Sequence, residues 1–124
     1  MCKPYILIVD DEPINQMAMQ SFLEERFKIR TANNGQECLD YIAIRVPDLI
    51  LMDIQMPVLN GIEACKKIRK NKHTNQIAVI FISTLTSEKN KKSCFQAGGN
   101  AYFTKPVSKH KLIEKIEFLL TNKI

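Results

Sequence analysis

Long apolar runs are missing from this sequence. Its opening, Met1-Cys2-Lys3-Pro4, leads into five apolar residues before Asp10. That is too short for a signal-peptide core or a spanning helix, so no membrane insertion is expected. Cysteine is sparse and scattered: Cys2, Cys38, Cys65 and Cys94 stand 27 to 36 positions apart, with no Cys-x-x-Cys pair. This argues against both zinc-ligand spacing and a disulfide scaffold. Cys65 and Cys94 fall on apolar stripes and read as small buried hydrophobes. A reducing, cytoplasmic setting is the expectation. Acids are scarce in the second half: residues 64–124 carry three against thirteen basic side chains, whereas residues 1–63 carry ten against five. Such a basic half raises the question of nucleic acid or an acidic partner. No helix-turn-helix segment or aromatic-basic platform accompanies it, so direct nucleic-acid binding is not expected.

What is present describes one globular domain spanning residues 1–124. The chain has 124 residues, 45% of them hydrophobic and 25% charged, with a net charge of +5. A chain of this length buries enough apolar surface to fold without a staple. Five runs read as strands: Tyr5–Val9, Lys28–Ala32, Asp48–Met52, Ala78–Ser83 and Ala101–Thr104. Three are nearly continuous apolar stretches, the pattern of parallel strands covered on both faces. Between them lie helical patterns. Pro13 suits a first turn, followed by the stripe Ile14, Met17, Ala18 and Phe22. Asn34 with Glu37 forms a capping-box signature before Leu39, Ile42 and Ala43. Ile62, Cys65 and Ile68 mark a third helix, Ser87–Ala97 a fourth ended by Gly98-Gly99, and Ser108 caps a fifth with Leu112, Ile113, Ile116, Leu119 and Leu120. Five βα units with short connections imply an α/β fold, a doubly wound parallel sheet with right-handed crossovers. The fifth helix runs almost to the last residue, so no second domain is expected within these residues.

In open α/β sheets ligands bind beyond the carboxyl ends of the strands. The first strand runs into Asp10-Asp11-Glu12, the third into Asp53, the fourth ends at Ser83-Thr84, and the fifth is followed by Lys105-Pro106. Taken singly, each has an ordinary explanation: a helix-start acid, a strand-end turn, a bonded hydroxyl, a solvated lysine. All on one rim, they are hard to ascribe to coincidence. Three carboxylates in one cleft repel, so a cation must compensate. Lys105 is one candidate. Hard oxygen ligands without His or Cys point to Mg²⁺ or Mn²⁺ as the other.

Val9-Asp-Asp-Glu12, Met52-Asp-Ile-Gln-Met-Pro57 with Asn60-Gly61, the Ser83-Thr84 strand end, and Ala97-Gly98 leading to Lys105-Pro106 together resemble a response-regulator receiver domain, over the whole chain from Tyr5 onward. The resemblance implies a flavodoxin-like sheet in strand order 2-1-3-4-5. It further implies that Asp53 accepts a phosphoryl group from a phosphohistidine on a histidine kinase or phosphotransfer protein. Asp10, Asp11 and Asp53 would hold Mg²⁺ together with the backbone carbonyl of Gln55, and Mn²⁺ could substitute. Lys105 would pair with phosphoryl oxygens. Ser83 would be the switch hydroxyl, and Tyr102 the aromatic that turns inward once Ser83 moves toward the new charge. A cis Lys105–Pro106 peptide is implied as well. Such a chain is a signalling domain rather than an enzyme, catalysing only its own phosphorylation and dephosphorylation. It would signal to a downstream protein through the surface of the fourth helix, fifth strand and fifth helix. A phosphorylation-dependent dimer through the same surface is compatible with this.

Two positions depart from the family pattern. Thr84 is β-branched where a smaller residue is usual, narrowing access to Asp53. Gln55 and Leu85 stand where the family tunes hydrolysis, and Leu85 cannot hold an attacking water, so slow autodephosphorylation is expected. His73 and His110 lack a carboxylate orienter in sequence reach and are not expected to carry a phosphohistidine. Met17, Met19, Met52 and Met56 read as core or rim packing. A haloacid-dehalogenase-type phosphatase needs a second Asp where Gln55 stands and a cap domain. A flavodoxin needs a Ser/Thr/Gly first loop where Asp10-Asp11-Glu12 stands. Within the resemblance, the chain fits either a stand-alone regulator or a phosphorelay receiver of the hybrid-kinase type, toward which Asp11-Glu-Pro-Ile-Asn15 leans. Asp10, Asp11, Glu12 and Asp53 with Lys105 give the rim −3, leaving +8 elsewhere, read as a surface for an acidic protein partner.

Overall fold

The computed structural model describes residues 3–85 and 87–122, so Cys2 lies outside the described residues. Strands and helices alternate: β1 (Tyr5–Val9), α1 (Pro13–Leu23), β2 (Lys28–Ala32), α2 (Gly35–Ile44), β3 (Leu49–Met52), α3 (Gly61–Lys70), β4 (Ala78–Ser83), α4 (Glu88–Gln96), β5 (Ala101–Thr104) and α5 (Lys109–Thr121). All neighbouring strands are parallel, in the order β2-β1-β3-β4-β5. Expected strand ranges hold except at Asp48, which precedes β3. Its carboxylate accepts the Tyr5 N–H at 2.7 Å, while its own N–H donates to the Tyr5 carbonyl at 2.8 Å, closing the start of the β1/β3 pair.

The apolar strand residues divide between two layers by alternation. Leu7, Val9, Ile50, Met52, Val79 and Phe81 face α2, α3 and α4, packing with Cys38, Ile42, Ala64, Cys65, Ile68 and Cys94. Ile6, Ile8, Leu49, Leu51, Ile80 and Ile82 face α1 and α5, packing with Met19, Leu23, Leu112 and Ile116. The central strands β1, β3 and β4 are therefore buried along their whole length. Among the described residues, no helix is long and apolar enough to cross a membrane.

Side-chain caps fix the helix starts. Asn34, Asn60, Ser87 and Ser108 each accept an N–H from the residue three positions on. The capping box on α2 closes one residue early: Glu37 Oε1 accepts the Asn33 N–H at 3.0 Å rather than that of Asn34.

The helix faces hold one substantial correction. The expected inner stripe of α1 points outward: Ile14 is 78% and Met17 69% exposed, and Ala18 is exposed too. The buried residues are Met19 and Leu23, with Phe22 half-buried. Two apolar rows run along this helix. The one facing the sheet begins with half-buried Asn15 and Gln16, whose polarity disguised it. Met17 is accordingly not a packing residue. On α2, Ala43 is exposed as well, and Cys38 takes the inner position beside Ile42.

Candidate functional site

The crevice of a doubly wound sheet opens where the strand order reverses, here between β1 and β3. Val9 and Met52 are register partners, so the residues after them, Asp10 and Asp53, emerge side by side. The Asp53 N–H donates to the Val9 carbonyl at 2.9 Å, and the Asp10 N–H to the Ala32 carbonyl at 3.1 Å, carrying the ladder one step past each strand. The Lys105 N–H donates to the Ser83 carbonyl at 2.9 Å and extends β5 in the same way. The Lys105–Pro106 peptide is cis, as the resemblance implied.

Four of the sequence-predicted residues converge. Lys105 Nζ lies 2.9 Å from Asp10 Oδ2 and 3.7 Å from Asp53 Oδ2, with all three side chains no more than 15% exposed. Asp10, Asp11 and Asp53 each offer a carboxylate oxygen within 4.8 Å of the others. Burial pushes the Asp53 carboxyl up to about 6; Lys105 opposes the rise, and Asp10 adds to it. One ammonium does not offset three crowded carboxylates. The all-oxygen donor set fits a hard divalent cation of the Mg²⁺ type.

Ser83 is buried at the end of β4, and its Oγ accepts the Leu85 N–H at 3.1 Å. The Leu85 carbonyl in turn accepts the hydroxyl of Tyr102, which is half-buried on β5. Gln55 lines an open groove with Asp11, Asn60, Leu85 and Asn90. Thr84 is exposed and borders a different groove, with Asn15, Ala18, Lys105 and Val107.

Two features escaped the sequence reading. Gly61 sits against the loop carrying Asp53: a Cβ there would stand 1.9 Å from the Asp53 carbonyl oxygen. Gly61 appeared in the motif, but nothing in the sequence showed what a side chain there would meet. Gln16 reaches from α1 to the Asp10 carbonyl, with Nε2 2.5 Å from the oxygen. Its signal was a polar residue on a helix row that turned out to face inward.

Other expectations are amended. His110 does have a carboxylate in sequence reach, Glu114 at 3.9 Å, although both are exposed. Burial raises the thiols of Cys38 (to about 12), Cys65 and Cys94 (to about 11), which keeps them protonated and unreactive. Part of the basic excess points inward: Arg69 donates to the carbonyls of Gly98 and Ile77, tying α3 to the end of α4 and the start of β4.

Comparison with known proteins agrees with this geometry. Residues 6–117 match the response regulator receiver domain family. The chain belongs to that family, the receiver domains of two-component signalling. It is 35% identical over 116 residues to Protein PilH of Pseudomonas aeruginosa, covering 93% of this chain and 96% of that one. It is 36% identical over 118 residues to a probable cyclic di-GMP phosphodiesterase of Vibrio cholerae, covering 95% of this chain but only 27% of that protein. The receiver domain of sensor histidine kinase PA1611 from Pseudomonas aeruginosa, solved with a magnesium ion in its active-site cleft, superposes with a TM-score of 0.91 at 25% identity, covering 98% of this chain and 100% of that one.

Proposed function

We propose that residues 1–124 act as a single Mg²⁺-dependent phosphoacceptor receiver, taking a phosphoryl group from a phosphohistidine onto Asp53. The observation that carries this is the contrast between two neighbouring acids. Asp10 is held by Lys105 and by the Glu12 N–H at 2.9 Å, whereas Asp53 Oδ1 is bonded to the adjacent Ile54 N–H and Oδ2 stands 3.7 Å from Lys105. Asp53 keeps an oxygen available for attack beside a cation.

In the transfer, an Asp53 carboxylate oxygen attacks phosphorus in line, the P–N bond to the donor imidazole breaks, and an acyl phosphate forms. Asp10, Asp11, Asp53 and the Gln55 carbonyl are the groups that would hold Mg²⁺, or Mn²⁺ in its place. When bound, the ion neutralises charge on the phosphoryl oxygens. Lys105 pairs with an equatorial oxygen from the β5 side. Ser83 Oγ accepts from Leu85, which leaves its own proton to donate to the phosphoryl group. A shift of Ser83 toward Asp53 pulls on Leu85, and through the Leu85 carbonyl on Tyr102. The added charge thus reaches the face formed by α4, β5 and α5, which signals to a downstream protein.

The donor is a histidine kinase or histidine phosphotransfer protein. Exposed Ile14 and Met17 on α1, and the groove of about 350 Å³ between α1 and Lys105-Pro106-Val107, give it an apolar seat next to the site. Incubation with acetyl phosphate tests the chemistry. Covalent uptake is expected for the parent protein with Mg²⁺, and none for Asp53→Asn or after chelation. Uptake independent of Mg²⁺, or undiminished in Asp53→Asn, defeats the proposal.

A further inference from the structure

Asp10 must present its carboxylate at a fixed place, yet it lies on a loop with no glycine or proline between it and Glu12 to set the turn. Side chains set it instead. The Gln16 amide stands 2.5 Å from the Asp10 carbonyl oxygen, 2.9 Å from Asn33 Oδ1 and 3.3 Å from the Ala32 carbonyl oxygen. Two amide protons serve three acceptors, so the nitrogen is fully engaged. The Ala32 carbonyl also accepts the Asp10 N–H at 3.1 Å. Gln16 therefore closes a ring around the main chain of Asp10, whereas Lys105 and the Glu12 N–H bond its carboxylate.

Asn33 is oriented in turn. Its Nδ2 donates to Glu37 Oε1 at 3.2 Å, and its N–H to the same oxygen at 3.0 Å. That turns Oδ1 toward Gln16 and fixes the amide's sense. A chain of bonds thus runs from Glu37 on α2, through Asn33, to Gln16 on α1 and the Asp10 backbone.

We infer that Gln16 is a positioning residue for the cation-holding acids, acting with Asn33 to set the affinity of the Asp10–Asp11–Asp53 cluster for Mg²⁺. This rests on the reading of that cluster as a Mg²⁺ site. Gln16 points at the Asp10 main chain, so its contribution is to hold Asp10 and Asp11 before the ion arrives. Removing an outer partner of this kind weakens metal binding by roughly tenfold. It should leave the chemistry of a fully loaded site unaltered.

The test is Mg²⁺ binding to the full chain by isothermal titration calorimetry, for the parent, Gln16→Met, Asn33→Ala and the exposed control Gln20→Met. Gln16→Met should bind about tenfold and Asn33→Ala about threefold more weakly, with Gln20→Met unchanged. The Mg²⁺ concentration for half-maximal labelling by acetyl phosphate should rise in step, while the rate at saturating Mg²⁺ stays within about twofold. A general loosening of the fold would lower that rate as well and would overturn the inference. Mg²⁺ affinity within twofold of the parent in both variants overturns it while leaving the phosphoacceptor reading intact. A parent that binds no Mg²⁺ overturns both. Should Gln16→Met fail to fold, the shift in Asn33→Ala decides alone.

Discussion

The loops after β1 and β3 carry neighbouring acids and are built by opposite means. The first is held by side chains: Lys105 grips the Asp10 carboxylate at 2.9 Å and Gln16 its carbonyl at 2.5 Å. The second is held by backbone. The Gly61 N–H donates to the Ile54 carbonyl at 2.9 Å, the Gly35 N–H to the Leu59 carbonyl at 2.9 Å, and the Leu59 N–H to the Pro57 carbonyl at 2.8 Å around Val58, whose φ is 71°. The difference suits the proposed roles. Asp10 is tied down at its carboxylate, as a holder of charge should be. Asp53 precedes a loop held by backbone bonds and has its own carboxylate lightly bonded, which suits the nucleophile proposed.

Five substitutions sharpen or break this contrast. The largest effect is expected at Gly61→Ala, whose Cβ would meet the Asp53 carbonyl at 1.9 Å. Urea denaturation should show a loss of about 3 kcal/mol or more; a loss under 1 kcal/mol would mean the second loop is not held by close backbone approach. Next come the two acids, with opposite signs. The Asp53 carboxyl titrates near 6 in the folded chain against 3.8 when unperturbed. Between those values the unfolded chain has released the proton and the folded one has not, so metal-free stability falls as pH rises. Asp53→Asn should remove that fall and stabilise the metal-free protein at pH 7 by on the order of 2 to 3 kcal/mol, with no gain below pH 4. Asp10→Asn removes the closest partner of half-buried Lys105 and should instead destabilise by about 2 kcal/mol. Equal signs would abolish the distinction. Val58→Gly should stabilise by about 0.5 to 1 kcal/mol, because a β-branched residue at positive φ is strained in the three-residue turn; a lower melting temperature contradicts this. The smallest effect is kinetic. Leu85→Glu, able to hold a water beside the site, should shorten the phosphoryl half-life roughly threefold, under 1 kcal/mol of barrier. A longer half-life counts against the role given to Leu85.

Much of this architecture is legible in the residues themselves. Apolar runs such as Leu49-Ile-Leu-Met52 can be satisfied only by two-sided burial, and the acids, hydroxyl and lysine stand at strand ends where the fold gathers them. The faces of α1 are less legible. Its outward row is richer in apolar residues at helical spacing than the start of its inward one, so periodicity favours the wrong side. The reason is functional geometry: Gln16 is needed inside to reach Asp10, and the sheet's end tolerates a polar first turn there. Close approaches are illegible for a different reason. The contact between Gly61 and Asp53 joins two loop backbones, and no side-chain pattern reports it. Nor does composition separate Arg69, folded against the end of α4, from the lysines that remain on the surface.

In the proposed function Asp53, rather than its better-tied neighbour, becomes the acyl phosphate. Borohydride reduction after incubation with acetyl phosphate and Mg²⁺ converts an aspartyl phosphate to homoserine, which peptide mass spectrometry locates. Homoserine is expected at position 53 alone, and absent when Mg²⁺ is chelated. Reduction at Asp10 or Asp11, or phosphate retained on His73 or His110, would contradict it.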